Sequence, residues 1–350
     1  MAGVYISYPF CAQKCSYCNF ASGVFPESQK PQYEQQLLAE IRATEWAWRP
    51  ETVYLGGGTP SLWELEGLKA VLESIPGRPW REATMEAAPG SLTRERVVAW
   101  RDMGINRVSL GVQSMVTSEI RRTGRKHTAE VVAAEVKLLR EQGMENFNLD
   151  LIAGLAGQTP ESWEESLEEV LALEPPHVSV YILEVDEDSR LGQELLLNGV
   201  RYGARDVPSE EKQAEFYERA VDRLAQAGIE RYEISNFARA GAESLHNLKY
   251  WRLEPYYGFG ADAHSFDGRM RWQNSGDVVG YRRLEAEAAQ LDRERYWVGL
   301  RLSEGVEVGE DVAAVVERLV AEGLLEWQGA KVRLTRRGVL LSNEVFQEFL

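Results

Sequence analysis

Cysteine is scarce in this 350-residue chain. Three residues, an odd count, cannot make a disulfide framework, and they point to a reducing compartment. Long apolar runs are missing as well: no stretch approaches the roughly 18 residues of a membrane-spanning helix. The first residues, Met1-Ala2-Gly3-Val4-Tyr5-Ile6-Ser7, lack a basic segment followed by an apolar one, so they read as a strand and not as a signal peptide. A cytoplasmic protein is expected. Basic residues are outnumbered 39 to 55, and the net charge of −16 favours solubility and disfavours a wholesale nucleic-acid binder. Histidine is rare too, at four residues. What the chain does have is a hydrophobic share of 44%, enough for a substantial core and against disorder. Its length suits two or three domains, or one large α/β barrel with an added module.

Short β-type runs alternate with helical patterns over the first half. Val4–Ser7, Val53–Gly56, Thr84–Ala87, Arg107–Gly111, Phe147–Ile152 and His177–Leu183 read as strands. Pro31–Trp48, Leu62–Ser74, Arg94–Met103, Thr128–Gln142 and Glu161–Leu173 read as helices between them. Pro31 suits a first helical turn, Ser61 with Glu64 spells a capping box, and Thr159-Pro160 puts a cap before a first-turn proline. Six βα units in a row imply parallel strands with helices outside, and six instead of eight implies an open barrel. After about residue 186 the pattern changes. Ser209–Ala227 reads as an acidic amphipathic helix capped by Ser209, and Tyr232–Trp272 as an aromatic-rich, loop-like region. The last stretch reads as helix (Gly309–Glu322), strand (Leu324–Trp327), turn, strand (Lys331–Leu334), helix (Val339–Phe349), an order resembling a winged helix. With 9 acidic against 6 basic residues in 300–350, it suits packing or a protein partner better than DNA. The expected division is 1–186 for the barrel, 187–290 for an extension and 291–350 for this α+β module.

The chemistry concentrates in Cys11-Ala-Gln-Lys-Cys15-Ser-Tyr-Cys18, just after the first strand, where sites gather in parallel α/β folds. A structural zinc site would want a fourth ligand, and no histidine follows nearby. An iron–sulfur cluster normally takes four cysteines; three would hold three irons and leave the fourth open to a small molecule. Gly56-Gly57-Gly58-Thr59-Pro60 follows the second strand, and its glycines let backbone N–H groups approach a ligand. Glu86, Gln113 and Asp150 stand at strand positions where a plain core would use apolar residues, so together they could ring one barrel mouth. The basic run Arg121–His127, with Arg125, is out of keeping with an acidic chain and could meet carboxylates, or could be a solvated helix face.

The cysteine spacing C-x3-C-x2-C after a first strand resembles the radical S-adenosylmethionine (SAM) superfamily. Further motifs narrow the resemblance to its HemN/HemW branch over nearly the whole chain: Tyr5–Cys11, Gly56–Pro60, Glu86-Ala-Ala-Pro89, Ser109–Ser114, Asp150–Gly154, Tyr232–Phe237 and Gly258–Phe266. The resemblance implies an open (β/α)6, partial TIM-type barrel with a C-terminal extension. It implies a [4Fe–4S] cluster on Cys11, Cys15 and Cys18, and SAM contacts from Tyr5, Tyr17, Gly57, Gly58, Thr59, Glu86, Gln113, Arg125 and Asp150. The chain departs from the branch at Ser7-Tyr8, where a His-Ile-like pair is usual, and at Ala88, where Asn is usual.

The branch holds two activities: an oxygen-independent coproporphyrinogen III dehydrogenase, and a haem-binding chaperone that delivers haem to acceptor proteins. Three features favour the chaperone side. The cluster motif begins at residue 11 without a long preceding extension, Phe20 stands where the dehydrogenase has a further cysteine, and His246-Asn247-Leu248-Lys249-Tyr250-Trp251 matches the chaperone motif H-N-x-x-Y-W. Imidazole is a standard axial ligand of haem iron, so His246 is expected to bind haem, with Tyr250 and Trp251 against the macrocycle. His264, among small residues, reads as part of a packed turn. The partners expected are haem and haem-accepting proteins, including membrane-associated ones, with no nucleic acid and no transmembrane segment. A nucleic-acid-modifying radical SAM protein is a third reading, opposed by the acidic balance.

Overall fold

The computed structural model describes residues 2–350; Met1, the first residue of the expected barrel span, lies outside the described residues. Six strands appear where the sequence places them: β1 (Gly3–Tyr8), β2 (Thr52–Gly57), β3 (Glu82–Ala87), β4 (Arg107–Gln113), β5 (Phe147–Ala153) and β6 (His177–Ile182). Each pairs in parallel with the next. The helices between them are α1 (Lys30–Ala43), α2 (Leu65–Glu73), α3 (Arg94–Asp102), α4 (Thr117–Arg122), α5 (Ala129–Glu141) and α6 (Pro160–Ala172). β1 and β6 do not meet, so the barrel is open, as the count of six units implies.

Alternation gives each of these strands two unlike faces. Val4, Ile6, Val53, Leu55, Val108, Leu110, Leu149, Leu151, Val178 and Val180 are fully buried in the hydrophobic core. Burial of such a side chain stabilises by about 1.5–3 kcal/mol before entropy is charged. The alternate positions, Tyr54, Glu86, Ser109, Asn148, Asp150, His177 and Ser179, are polar and hydrogen-bond between neighbouring strands on the inner face. Parallel strands are usually apolar on both faces. A polar inner face therefore marks the lumen as the working surface.

Caps follow the sequence at two sites and depart from it at one. Thr159 accepts from the Ser162 N–H at 3.2 Å while Ser162 accepts from the Thr159 N–H, closing a capping box around Pro160. Ser209 caps the next long helix. Ser61 does not cap α2. Pro60–Leu62 forms a 3-10 turn that delays the helix to Leu65, and Ser61 accepts instead from Ser91 Oγ at 2.8 Å.

The segment after β6 is α7 (Arg190–Leu196), α8 (Glu210–Gln226), β7 (Glu230–Arg231), β8 (Asn236–Ala238), α9 (Leu245–Trp251), β9 (Tyr256–Phe259), β10 (His264–Phe266), β11 (Met270–Gln273) and β12 (Glu287–Ala288). The region expected to be loop-like thus supplies four strands or parts of them and a helix. β9 runs parallel along the free edge of β1, and β8 antiparallel along β6, giving one 12-stranded sheet. Elements of two to seven residues are too short to show a period, which is why they escape a sequence reading. His264 opens β10 opposite Gln273, with its side chain exposed and not packed in a turn.

The chain ends in α10 (Leu291–Gly299), β13 (Val306–Glu307), α11 (Ala313–Ala321), β14 (Leu325–Gln328), β15 (Lys331–Leu334), α12 (Arg336–Leu340) and α13 (Ser342–Gln347). Its three strands form a separate sheet, and the helix–strand–turn–strand–helix order is the one read from the sequence. Among the described residues no helix is long and apolar enough to cross a membrane.

Candidate functional site

The cysteine loop is fastened at both ends and from outside. Cys11 N–H donates to Gly23 O at 2.8 Å and Gly23 N–H to Pro9 O at 2.9 Å. Lys14 Nζ spans the loop to Phe20 O and Ser22 O, each at 2.7 Å. Ser16 N–H reaches Thr123 O, and Leu191 N–H at the start of α7 reaches Ser16 O. The three thiols are unpaired and half-buried.

The glycine turn lies directly on this loop. Gly58 N–H donates to Tyr8 O at 2.8 Å and Thr59 N–H to Phe10 O at 2.9 Å. A Cβ at Gly58 would stand 2.7 Å from Phe10 O, and Gly57 has φ +104°, so both positions need glycine. Burial pushes the Cys11 thiol up, offset by the hydroxyls of Ser22 and Thr59.

The expected mouth residues come together around this pair of turns. Glu86 accepts from Gly57 N–H at 3.2 Å and from Tyr54 Oη at 2.9 Å, and burial pushes its carboxyl up to about 7, with Asp150 adding to the rise. Asp150 accepts from Asn148 at 2.6 Å, and burial raises it too. Arg125 turns out of the basic run into the protein, donating from Nε to Cys15 Sγ at 3.2 Å and from Nη1 to Gly111 O at 2.5 Å. Burial works against its charge, but Tyr17, Cys15 and Asp150 hold the proton more firmly than usual. Arg121, by contrast, is exposed. Gln113 sits where the β4–β5 register shifts, at φ +70°, its side-chain nitrogen against Gly111. Tyr17 packs on the apolar cluster of Ile152, Leu155, Leu183 and Leu191. Tyr5 stacks on Tyr54 at 6.1 Å between centroids.

His246 is placed elsewhere. α9 closes the opposite end of the lumen, the end at which the strands begin. Glu82, at the foot of β3, accepts from the backbone N–H groups of Leu245 (3.0 Å) and His246 (2.9 Å) at the N-terminus of α9. His246 is fully buried, its Nδ1 2.9 Å from Thr52 Oγ1 and its Nε2 2.8 Å from Tyr250 Oη, and its ring stacks on Tyr54 at 5.3 Å. Burial, with Lys249 and Arg107 nearby, lowers its pKa to about 3. A haem iron needs an open ring nitrogen; here both have partners and neither is exposed. In this structure His246 holds α9 in place at the foot of the lumen through Thr52 and Tyr250. Lys249 secures this helical plug to Glu51 (2.5 Å) and Glu254 (3.1 Å).

Sequence reading missed Thr52, Tyr54, Glu82, Arg107, Ser109, Asn148, His177 and Ser179 as lumen residues. Their signal is present as period-two polar positions, Thr52-x-Tyr54, Glu82-x-Thr84-x-Glu86, Arg107-x-Ser109, Asn148-x-Asp150 and His177-x-Ser179, inside otherwise apolar strands.

The mouth fits a [4Fe–4S] cluster with a small polar ligand. Among the described residues no three His, Cys, Asp or Glu side chains converge on a single-ion site. A cluster asks for one thiolate per iron, not for convergence on one ion, and a cation bonded to a ligand sulfur favours the thiolate. Below the mouth, Thr84 Oγ1 and Arg107 Nε, in register across β3 and β4, are buried without a protein partner.

A family model described as the radical SAM superfamily matches residues 5–170. The chain is similar to the heme chaperone HemW of Bacillus subtilis, 35% identical over all of this chain and 99% of that protein. It is similar to the heme chaperone HemW of Escherichia coli, 30% identical over 99% of this chain and 97% of that one. Among solved structures, coproporphyrinogen III oxidase (HemN) from Escherichia coli, a radical SAM enzyme, superposes with a TM-score of 0.81 over 99% of this chain and 89% of that chain. The identity there is 21%, which shows a shared fold.

Proposed function

The chain belongs to the radical SAM superfamily and within it to the HemW family, and from that premise we propose that it binds haem and hands it to acceptor proteins. The observation that supports this reading is the full-length likeness to chains named as heme chaperones, at 35% identity with no part of this chain left over. The family implies a [4Fe–4S] cluster and SAM. We assign the cluster to Cys11, Cys15 and Cys18. SAM would meet Tyr5, Tyr17, Gly57, Gly58, Thr59, Glu86, Gln113, Arg125 and Asp150. When bound, these cofactors supply one-electron chemistry. The chain's own residues do the positioning. Gly57 and Gly58 let the backbone close on the pocket, Arg125 sets a fixed positive charge on the Cys15 sulfur, and Glu86 carries a proton near neutrality at Oε1 or Oε2.

The test is a haem titration of the purified protein followed at the Soret band, then transfer of the bound haem to apomyoglobin as a generic acceptor. One saturable haem per chain and transfer faster than from free haem are expected. Absence of saturable binding overturns the reading. His246→Ala in the same titration decides the role of the plug. Because both ring nitrogens are already engaged, haem affinity per folded molecule should stay within threefold. A folded variant that loses the Soret change returns His246 to the iron.

A further inference from the structure

α7 is apolar on two sides. Leu191 and Leu195, one turn apart, pack inward with Ile152, Leu155, Leu183 and Tyr17 of the cysteine loop. At the other end of the helix Leu196 and Leu197 are 62% and 80% exposed, and Val200 just beyond is 64% exposed. A surface helix normally turns a polar face to water, and only singly exposed apolar residues need no explanation. These are three of the nine exposed large hydrophobic side chains among the described residues, gathered within five positions. None of them belongs to either apolar core cluster, so the fold does not use their surface.

The backbone holds this ledge in one shape. Gly199 N–H donates to Glu194 O at 2.7 Å, and the chain turns at Asn198 with φ +51°. Arg205 Nη2 donates to Asn198 O at 3.2 Å, which sets its guanidinium at the turn between Leu197 and Val200. Arg201 stands next to Val200, and both arginines are exposed. The nearest carboxylates along the chain are engaged elsewhere. Asp206 pairs with Arg122 at 3.3 Å, and Glu194 accepts the Arg201 backbone N–H at 3.4 Å. The two guanidinium groups are thus left without a carboxylate partner among the described residues.

Haem is a flat apolar macrocycle with two propionates on one edge. We propose that this ledge is where the cargo docks, the macrocycle on Leu196, Leu197 and Val200 and the propionates on Arg201 and Arg205. The proposal rests on the reading of the chain as a haem carrier and gives that reading a site. Guanidinium is the cation whose fork matches a carboxylate. Residues 190–206 hold no histidine, cysteine or methionine, so the ledge grips the ring and its propionates and leaves the iron open. An acceptor that supplies an iron ligand then takes the haem without breaking a protein–iron bond. Leucines beside arginines also suit a lipid surface. A chain of net charge −16 is repelled by an anionic bilayer, and three apolar side chains are a small anchor there, whereas one macrocycle needs little more.

The experiment is a titration of the full chain with ferric haem, followed at the Soret band, and with iron-free protoporphyrin IX, followed by its fluorescence. The parent should bind both, with affinities within about fivefold, since no iron bond is involved. Leu196→Glu with Leu197→Glu should weaken both by about tenfold or more, because apolar contact is lost and two negative charges face the propionates. Arg201→Gln with Arg205→Gln should weaken both by about threefold or more. Trp327→Ser removes an exposed ring from the separate C-terminal sheet and should change neither by more than about twofold, which excludes general adsorption to apolar surface. The substituted side chains are exposed, and circular dichroism confirms that each variant is folded. A parent that binds no haem ends the carrier reading and this site with it. A parent that binds haem while the double leucine variant binds it equally well overturns the site alone, as does a parent that binds haem but not the iron-free ring. Sedimentation with phosphatidylglycerol vesicles is the second arm: unchanged haem affinity with loss of vesicle binding in the leucine variant overturns the proposal in favour of lipid.

Discussion

Glu82 and Glu86 stand four residues apart on one face of one strand and are put to different uses. Glu82, at the foot of the lumen, accepts from two backbone N–H groups at the start of α9 and is 2% exposed. Glu86, at the mouth, is held by one tyrosine and one glycine N–H, and burial pushes it up to about 7. The ends of the lumen differ in the same way. At the foot the polar atoms of His246 are paired, and Lys249 bridges two carboxylates. At the mouth three thiols are free and Arg125 points its charge at one of them. A polar group with all its partners supplied by the chain holds structure; one left short of partners is available to a ligand.

Five variants would sharpen or break this contrast, from the largest effect to the smallest. Replacing Cys11, Cys15 and Cys18 together with Ala should abolish iron and sulfide content while leaving the urea midpoint within experimental error. A variant that keeps a full [4Fe–4S] absorbance, or one that unfolds, contradicts a mouth free to bind. His246→Ala should do the reverse, costing about 2–4 kcal/mol through a cavity and two lost hydrogen bonds, with cluster content per folded molecule unchanged. Equilibrium denaturation alongside iron analysis measures both.

The two ends should also answer pH with opposite sign. For His246 the folded pKa, about 3, lies below its unfolded value near 6.5, so the unfolded chain binds more protons between the two. Stability from this group is complete above 6.5 and is lost on acidification toward 3, by about 1.4 kcal/mol per pH unit at most. His177 and His127, also lowered by burial, act in the same direction. For Glu86 the folded value, about 7, lies above the unfolded one near 4.5. Its contribution is complete below 4.5 and is lost as pH rises through 7. In cluster-free protein, His246→Asn should flatten the acid limb and Glu86→Gln the limb between 4.5 and 7; a Glu86→Gln curve parallel to the parent would show that the mouth is not desolvated. Thr52→Val is the mildest change, removing one partner of His246 at a cost of about 1 kcal/mol. A larger loss on thermal melting would mean that the plug unfolds as a unit.

Much of the fold is legible in the sequence because it is local. The six strands and five helices of the barrel announce themselves by period, caps and turns, and the cysteine loop and glycine turn by spacing alone. Glu86, Gln113 and Asp150 were found because polar residues interrupt or end apolar strands, and Arg125 because a basic run is out of keeping with an acidic chain. The polar lumen below it was equally visible as alternation, and Tyr54 could have been picked by the same rule. β9 could not. Its four residues join the sheet only because β1 has a free edge, a fact of pairing between segments some 250 residues apart.

His246 marks the boundary most clearly. By itself the sequence determined that a histidine with two aromatic neighbours would lie on a short segment after the barrel, in a chain of the HemW family with three cysteines at its first strand end. Only the tertiary structure decided that this histidine meets Thr52 and Tyr250 instead of open space, and that of two glutamates on one strand one anchors a helix and the other faces the mouth. Spacing and periodicity describe a residue's neighbours along the chain. Burial, the partners of a ring nitrogen and the proton affinity of a carboxylate depend on neighbours across it, and those are fixed only when the strands have closed around the lumen.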